Sequence, residues 1–182
     1  MSDHSDYVDE IRKLNRDQLR SLWNRIEAGH TPGWPPGRAF EHLVLRAFEL
    51  DGAEVVWPFE VYLDDAVVEQ VDGAVYAGDL SCLVEAKDTS TRTDVGVLSK
   101  VRTALARRPS TTLGLVFSRT GFTSAAMSLA RFFSPHTVLL WTGDEVSYLL
   151  NHGNMVAALR TKYRECVEQG IPYVRQLRVL PR

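Results

Sequence analysis

The sequence predicts an α/β fold in which helices flank a mixed central β-sheet. Short apolar runs bounded by turn residues alternate along the chain with amphipathic segments of helical period, which is typical of this class. The chain has 182 residues, of which 45% are hydrophobic and 24% charged. This length and composition suit one domain with a substantial core. We expect an N-terminal helix and linker over 1–36, a core over 37–151 and a C-terminal helical extension over 152–182.

Two helices are predicted before the sheet begins. Apolar residues recur at helical spacing over 6–28, and a linker rich in Pro and Gly follows at 29–37. A second helix is predicted over 38–50, with Gly52 as its terminator because Gly commonly ends a helix. The helix over 6–28 is either a natural place for an interface or only a cover for the core.

Three strands that form a meander are predicted next, and later strands are expected to enter through helical crossovers. A basic helix at 94–108 ends before Pro109, and the Thr142-x-x-Glu145 pattern predicts a capping box at a later helix start. The meander strands are predicted at 53–62, 67–77 and 80–87. The remaining elements are strands at 111–118 and 136–141, helices at 121–133, 142–150 and 154–169, and a tail at 171–182 that forms a short strand or is irregular.

The second and third strands carry charged residues where a core strand usually has apolar ones. If Gly78-Asp79 forms a two-residue hairpin turn, Asp72 lies opposite Glu85 and Gln70 lies opposite Lys87, all on one face. Facing carboxylates repel, so a shared proton, a protein cation or a bound metal must offset the cost. An edge hairpin with a solvated polar face would explain the same residues without any site.

Glu41 borders the apolar stripe of the helix predicted over 38–50. A carboxylate beside a buried surface is costly unless it is paired. An ion pair with Arg38 or Arg46 would satisfy it. Alternatively, Glu41 joins Asp72 and Glu85 at a metal site.

A Glu in the first core helix, an Asp-Gly pair and a Glu-x-Lys triplet occur in that order, as Glu41, Asp72-Gly73 and Glu85-Ala86-Lys87. This order resembles the PD-(D/E)xK nuclease superfamily, and most closely the Mrr-like restriction endonuclease domain, over roughly 37–151. The stretches that carry the resemblance are FEHLVLRAFELDGAEV, VDGAVY, LVEAKD, LGLVFSRTGFTSAAMSLA and TVLLWTGDEVSYLL. It implies a restriction-endonuclease-like sandwich and a metal-dependent endonuclease that hydrolyses phosphodiester bonds of DNA, with RNA left open.

The resemblance also implies a magnesium site. Asp72, Glu85 and the Ala86 backbone carbonyl would hold Mg²⁺, for which Mn²⁺ would substitute, and Glu41 would bind through water to this ion or to a second one. These oxygen ligands are the type that Mg²⁺ prefers.

Lys87 would then orient or deprotonate the attacking water, or stabilise charge on the phosphate. Gln70 would bind that water or a phosphate oxygen. The catalytic set implied by the resemblance is Glu41, Gln70, Asp72, Glu85 and Lys87.

Two groups of residues are expected to contact nucleic acid. One lies on the basic helix after the site, and the other precedes a helix N-terminus, where phosphates often bind. A solvated helix face would explain the first group, and helix capping by Thr120 or Thr123 is the simpler explanation of the second. The predicted contacts are Lys100, Arg107, Arg108, Ser118, Arg119 and Thr120.

The formal net charge of −2 argues against a strong, non-specific grip on DNA by one copy. It favours an alternative, a non-catalytic nucleic-acid-binding or protein-interaction domain that retains the nuclease fold. The complete set of Asp72, Glu85 and Lys87 favours the enzyme. A homodimer, or a partner protein that supplies DNA affinity, would reconcile the two observations.

The remaining features concern location. No apolar run approaches the roughly 18 residues that a membrane span needs, and the acidic N-terminus does not resemble a signal peptide. The chain has only two cysteines, Cys82 and Cys166, which do not suggest a disulfide framework. We therefore expect a cytoplasmic protein with no membrane association.

Overall fold

The computed structural model describes residues 3–132 and 137–174, and their elements alternate between strands and helices. The strands are β1 (Glu54–Val56), β2 (Phe59–Leu63), β3 (Ala66–Val71), β4 (Gly73–Ala77), β5 (Leu80–Lys87), β6 (Leu113–Ser118) and β7 (Val138–Thr142). The helices are α1 (Asp3–Arg12), α2 (Arg16–Glu27), α3 (Arg38–Leu50), α4 (Val95–Leu105), α5 (Ser124–Ala130), α6 (Gly143–His152) and α7 (Met155–Gln169).

A five-stranded mixed sheet has the strand order β1-β4-β5-β6-β7, and β2 and β3 form a separate two-stranded sheet. β4 pairs antiparallel with both β1 and β5, whereas β5, β6 and β7 run parallel. α4 connects β5 to β6, and α5 connects β6 to β7, because parallel neighbours need a crossover connection between them. The predicted α/β sandwich with a mixed sheet is therefore confirmed.

The two faces of the sheet are covered by different helices. Val84 and Ala86 of β5 belong to the larger core, which α1, α2, α3, α6 and α7 cover. Leu83 belongs to a second core with residues of α4 and α5. Side chains alternate along a strand, so Glu85 and Lys87 share the α4 face with Leu83.

The helix predicted over 6–28 is two helices. Asn15 caps α2, because its side chain accepts a hydrogen bond from the Gln18 backbone N–H while the Gln18 side chain accepts one from the Asn15 N–H. This reciprocal box begins a new helix.

The strands predicted at 53–62 and 67–77 are also divided. The second breaks at Asp72, where β3 turns away to pair with β2. Gly73 permits the break, since its φ is +157° and a Cβ there would lie 2.8 Å from the Leu45 side chain and 2.9 Å from the Val56 carbonyl oxygen. As a result Val71 lies in the second core, with residues of α4 and α5.

Other predictions are confirmed. The register set by Gly78-Asp79 holds throughout β4 and β5, from Ala77–Leu80 to Gly73–Val84. Thr142 and Glu145 form the predicted capping box.

In the tail, the Pro172 carbonyl accepts a hydrogen bond from the Leu140 N–H of β7, but no regular element forms over 171–174. The predicted elements that reach 133–136 and 175–182 extend outside the described residues there.

Among the described residues, no helix combines the length and apolar character needed to cross a membrane.

Candidate active site

The C-terminal half of β5 presents Glu85 and Lys87 side by side on the α4 face of the sheet. Glu85 is buried, with only 5% of its surface exposed. The Lys87 Nζ lies 2.6 Å from Glu85 Oε1, so the two charges of the triplet are paired with each other.

Asp72 reaches the same place from the end of β4. Its Oδ2 accepts a hydrogen bond of 2.8 Å from the Ala86 backbone N–H, which a continuing β4 would otherwise have bonded. The neighbouring Lys87 carbonyl is directed towards β6, where it accepts from the Arg119 N–H. Because peptide groups alternate sides along a strand, the Ala86 carbonyl points away from β6, to the side of Asp72.

The Asp72 carboxyl is surrounded by negative charge. Burial, the nearby Glu85 carboxylate and the Glu41 carboxylate raise its pKa from 3.8 to about 7, against the opposing effects of the Ala86 N–H and Lys87. Asp72 therefore lies where additional positive charge would be stabilising.

Lys87 remains protonated in this cluster. Burial alone would lower its pKa, but the hydrogen bond to Glu85 and the charges of Glu85, Asp72 and Glu41 outweigh burial and raise it. A lysine held in its charged form is a donor and a counter-ion rather than a base.

A second lysine also binds Glu85. Lys100, from α4, places its Nζ 2.9 Å from both carboxylate oxygens of Glu85. The sequence predicted Lys100 as a nucleic-acid contact but not this ion pair, because the two residues are brought together by the path of the chain between β5 and α4.

Glu41 forms an ion pair with Arg38, one of the alternatives left open by the sequence, and its place at a metal site stays a prediction. It pairs with Arg38, with a distance of 2.8 Å between Arg38 Nη1 and Glu41 Oε2, whereas Arg46 pairs with Glu49. Glu41 also faces the cleft that Asp72 and Lys87 line.

Gln70 is not opposite Lys87 in a strand pair, because β3 leaves the sheet. It pairs with Glu60 of β2, and its Nε2 donates to Glu60 Oε1 at 3.1 Å. Its predicted pairing is therefore wrong. Gln70 nevertheless lines the same cleft as Lys87 and Asp72.

A cleft of about 660 Å³ lies between the β2–β3 hairpin, the start of α3 and the end of β5. Four of the five predicted catalytic residues line it, namely Glu41, Gln70, Asp72 and Lys87. Glu85 does not line this cleft, but its two partners, Lys87 and Lys100, do. The cleft is lined by Pro36, Arg38, Glu41, Pro58, Phe59, Glu60, Tyr62, Gln70, Val71, Asp72, Lys87 and Lys100.

The donor chemistry at this cleft fits a hard divalent cation. Asp72, Glu85 and the Ala86 carbonyl offer oxygens at the end of β5. Burial raises the pKa of Asp72, and the Glu85 and Glu41 carboxylates raise it further. Glu85 is already held by Lys87 and Lys100. Over residues 3–132 and 137–174, no three His, Cys, Asp or Glu side chains are grouped closely enough to hold an ion as they stand.

The basic residues that follow α4, Arg107 and Arg108, form ion pairs with the β2–β3 hairpin. Arg107 and Arg108 lie 2.7 and 2.8 Å from the carboxylate of Glu69 on β3, an ion pair the sequence did not suggest. The Arg107 side chain is half exposed, whereas that of Arg108 is largely buried. Arg107 is therefore the more accessible of the two.

The predicted contacts after β6 are used mostly within the protein. Ser118 is fully buried and accepts a hydrogen bond from the Thr93 hydroxyl, so its predicted phosphate contact is corrected. Arg119 pairs with Asp88, and the Thr120 hydroxyl donates to the Thr91 carbonyl. Thr123 caps α5, as the simpler explanation predicted.

The Mrr_cat family model, described as restriction endonuclease, matches residues 36–150, which confirms the family resemblance. Among solved structures, the chain is similar to a protein of unknown function, AF1548, at 17% identity and a TM-score of 0.48, covering 72% of this chain and 77% of that one. It is also similar to the MspJI restriction endonuclease in complex with a 27-mer oligonucleotide, at 18% identity and a TM-score of 0.44. That match covers 89% of this chain but only 38% of MspJI. A comparison with curated proteins found no match.

Proposed function

Because the chain belongs to the restriction endonuclease family, we propose that it is a Mg²⁺-dependent endonuclease that hydrolyses phosphodiester bonds of DNA. The observation that carries the proposal is that Asp72, Lys87 and Glu41 line one cleft, beside the buried Glu85 with which Lys87 pairs. Clefts with convergent charged groups and a perturbed pKa are candidate active sites on physical grounds.

Asp72, Glu85 and the Ala86 carbonyl are the residues that would hold Mg²⁺ or Mn²⁺, with Glu41 acting through water. When bound, such an ion supplies positive charge beside the scissile phosphate and favours ionisation of water. Burial and then the Glu85 and Glu41 carboxylates raise the Asp72 pKa, and the positive charge of the ion would offset this cost of the charged form.

Lys87 acts in this proposal as a charged donor. Its raised pKa keeps the ammonium protonated at neutral pH, which suits stabilisation of negative charge on the phosphate and orientation of water. It is less suited to removing a proton from that water.

Arg38 and Gln70 also line the cleft of the proposed site. Arg38 holds Glu41 at the cleft, and Gln70 is oriented by Glu60 from β2. Gln70 remains a proposed ligand for water or for a phosphate oxygen, because it lines the cleft with Asp72 and Lys87.

DNA contacts are proposed along the same side of the molecule. Lys100 and Arg107 are each about half exposed and line a second cleft of about 680 Å³ beside the first. Arg119 lies next to Lys87 across β5 and β6. Since the net charge is −2, a homodimer or a partner protein is proposed to add DNA affinity.

The proposal is tested by incubating plasmid DNA, single-stranded DNA and RNA with the protein in Mg²⁺, Mn²⁺ or EDTA. Asp72→Asn and Glu85→Gln should both lose cleavage, while Asp79→Asn, at the exposed hairpin turn, should retain it. Cleavage of RNA alone would exclude the DNA assignment. Cleavage that persists in EDTA would exclude metal dependence.

A second candidate function is a non-catalytic nucleic-acid-binding domain. It is favoured by the two lysines that hold Glu85, an arrangement that is satisfied without any ion. Under this alternative, DNA binds equally well in EDTA and in Mg²⁺, and no substrate is cleaved.

A further inference from the structure

Glu85, the most buried carboxylate of the site, is held by two protein cations of different accessibility. Lys100 contacts both of its oxygens at 2.9 Å, and Lys87 contacts Oε1 at 2.6 Å. The Lys100 side chain is 52% exposed, whereas that of Lys87 is 30% exposed. A divalent ion that takes Glu85 as a ligand must therefore compete with at least one of these lysines.

The charges around the two lysines indicate which of them is released. Lys87 lies near the charges of Asp72 and Glu41 as well as Glu85, so the nearby Glu41 carboxylate still favours its ammonium when the ion engages Asp72 and Glu85. Lys100 approaches from a neighbouring helix with a long, half-exposed side chain. Water solvates such an ammonium well, so leaving Glu85 costs Lys100 less than it would cost a buried lysine.

We infer that Lys100 is a displaceable counter-ion of Glu85, which a divalent cation replaces and which then binds a phosphate of the nucleic acid. The inference rests on the proposed function. Lys100 lines both the main cleft, with Asp72 and Lys87, and the second cleft along β3 and α4. Its ammonium therefore needs only a change of side-chain conformation to leave Glu85 and face either cleft.

This arrangement couples the two ligands through one side chain. Without a divalent ion, Glu85 neutralises Lys100 and weakens its attraction for phosphate. With the ion bound, Lys100 is released. Coupling of this kind is reciprocal, so nucleic acid bound to Lys100 raises the affinity for the ion by the same factor.

The first test measures Mg²⁺ binding by titration calorimetry without DNA, in wild type, Lys100→Met, Lys100→Arg and Arg107→Met. Lys100→Met removes the competitor and should bind Mg²⁺ roughly three- to tenfold more tightly. Lys100→Arg keeps the competing charge and should resemble wild type. Arg107→Met removes a charge from the same side of the molecule, but from a partner of Glu69, and should change the affinity by less than about twofold.

The second test measures binding of a labelled phosphorothioate duplex, which resists hydrolysis, in EDTA and in Mg²⁺. Wild type should gain affinity on addition of Mg²⁺, and Lys100→Met should lose most of that gain. Arg107→Met should weaken binding equally in both conditions. A merely structural role of Lys100 would not produce this opposite effect on metal and on DNA.

Unchanged or weaker Mg²⁺ binding in Lys100→Met would overturn the inference, as would an equal increase in Arg107→Met. Either result leaves the proposed function intact if wild type binds Mg²⁺ and cleaves DNA. Absence of Mg²⁺ binding in all four proteins would overturn the inference and the proposed function together.

Discussion

The Asp72 carboxylate accepts a hydrogen bond of 2.8 Å from the Ala86 backbone N–H, and in doing so takes the place of a strand partner. β4 begins only at Gly73, yet the side chain of the preceding residue continues its contact with β5. The same contact brings Asp72 into the field of Glu85 and Glu41. The break in the strand therefore positions the proposed site.

Gly73→Ala should destabilise the protein by about 1–3 kcal/mol, because the new Cβ would clash with Leu45 and with the Val56 carbonyl. Urea unfolding measures the change. Gly52→Ala is the matched control, since Gly52 has a φ of +90° but no atom lies within 4 Å of the position that a Cβ would take there. An equal cost for both variants would contradict the crowding argument.

Removing the Asp72 charge should flatten the dependence of stability on pH in EDTA. The folded protein binds more protons than the unfolded chain between pH 3.8 and about 7, so stability falls as pH rises through that window. The loss is complete above pH 7 and amounts to as much as about 4 kcal/mol. Asp72→Asn should abolish this loss of stability, because the amide does not ionise. The Asn side chain still offers an oxygen that can accept the hydrogen bond from the Ala86 N–H.

Urea unfolding at several pH values between 5 and 8 checks this prediction. Asp79→Asn, at the exposed turn of the same hairpin, should follow the wild-type profile. If the free energy of unfolding changes with pH in the same way in wild type and in Asp72→Asn, ionisation of Asp72 is not the cause of the pH dependence.

Mg²⁺ should raise the melting temperature of the wild type by about 3–5 °C when its concentration is ten times the dissociation constant of the Mg²⁺–protein complex. At one fixed Mg²⁺ concentration the shift should be larger at pH 8 than at pH 5, because a proton on Asp72 competes with the ion and weakens its binding. Glu85→Gln should lose the shift. Differential scanning fluorimetry measures it, and an unchanged shift in Glu85→Gln would exclude Glu85 as a ligand.

Glu69→Gln should loosen the β2–β3 hairpin from α4. Burial opposes the charge of Glu69, but the hydrogen bonds to Arg107 and Arg108 outweigh it and lower the pKa, so the pair contributes stability above pH 4.5 that is lost as pH falls. Hydrogen exchange in the hairpin should accelerate several-fold. Glu168→Gln, a substitution at an exposed position of α7, should leave hydrogen exchange in the hairpin unchanged.

Much of the site could be predicted because it depends on local rules. The turn at Gly78-Asp79 and strand alternation place Glu85 and Lys87 on one face and determine the register of β4 and β5. The split between α1 and α2 also had a local signal, the capping box of Asn15 and Gln18.

The rest depends on contacts between distant residues. The stretch 67–77 has the pattern of one strand, and only the close approach of Leu45 and Val56 to Gly73 reveals why it breaks. Because the break was not foreseen, the predicted pairing of Gln70 with Lys87 was wrong. The pairs Lys100–Glu85 and Arg108–Glu69 join residues 15 and 39 positions apart, and no periodicity specifies such pairs.

The central claim is that Lys87, held charged beside Asp72 and Glu85, supports metal-dependent cleavage of DNA. The most direct measurement is the initial rate of supercoiled plasmid nicking in Mg²⁺ by wild type, Lys87→Met and Lys13→Met, an exposed control lysine. We expect Lys87→Met to lose about 10²–10⁴-fold in rate, Lys13→Met to match wild type, and EDTA to stop cleavage until Mg²⁺ is restored. A rate for Lys87→Met equal to that of wild type, or cleavage that continues in EDTA, would contradict the claim.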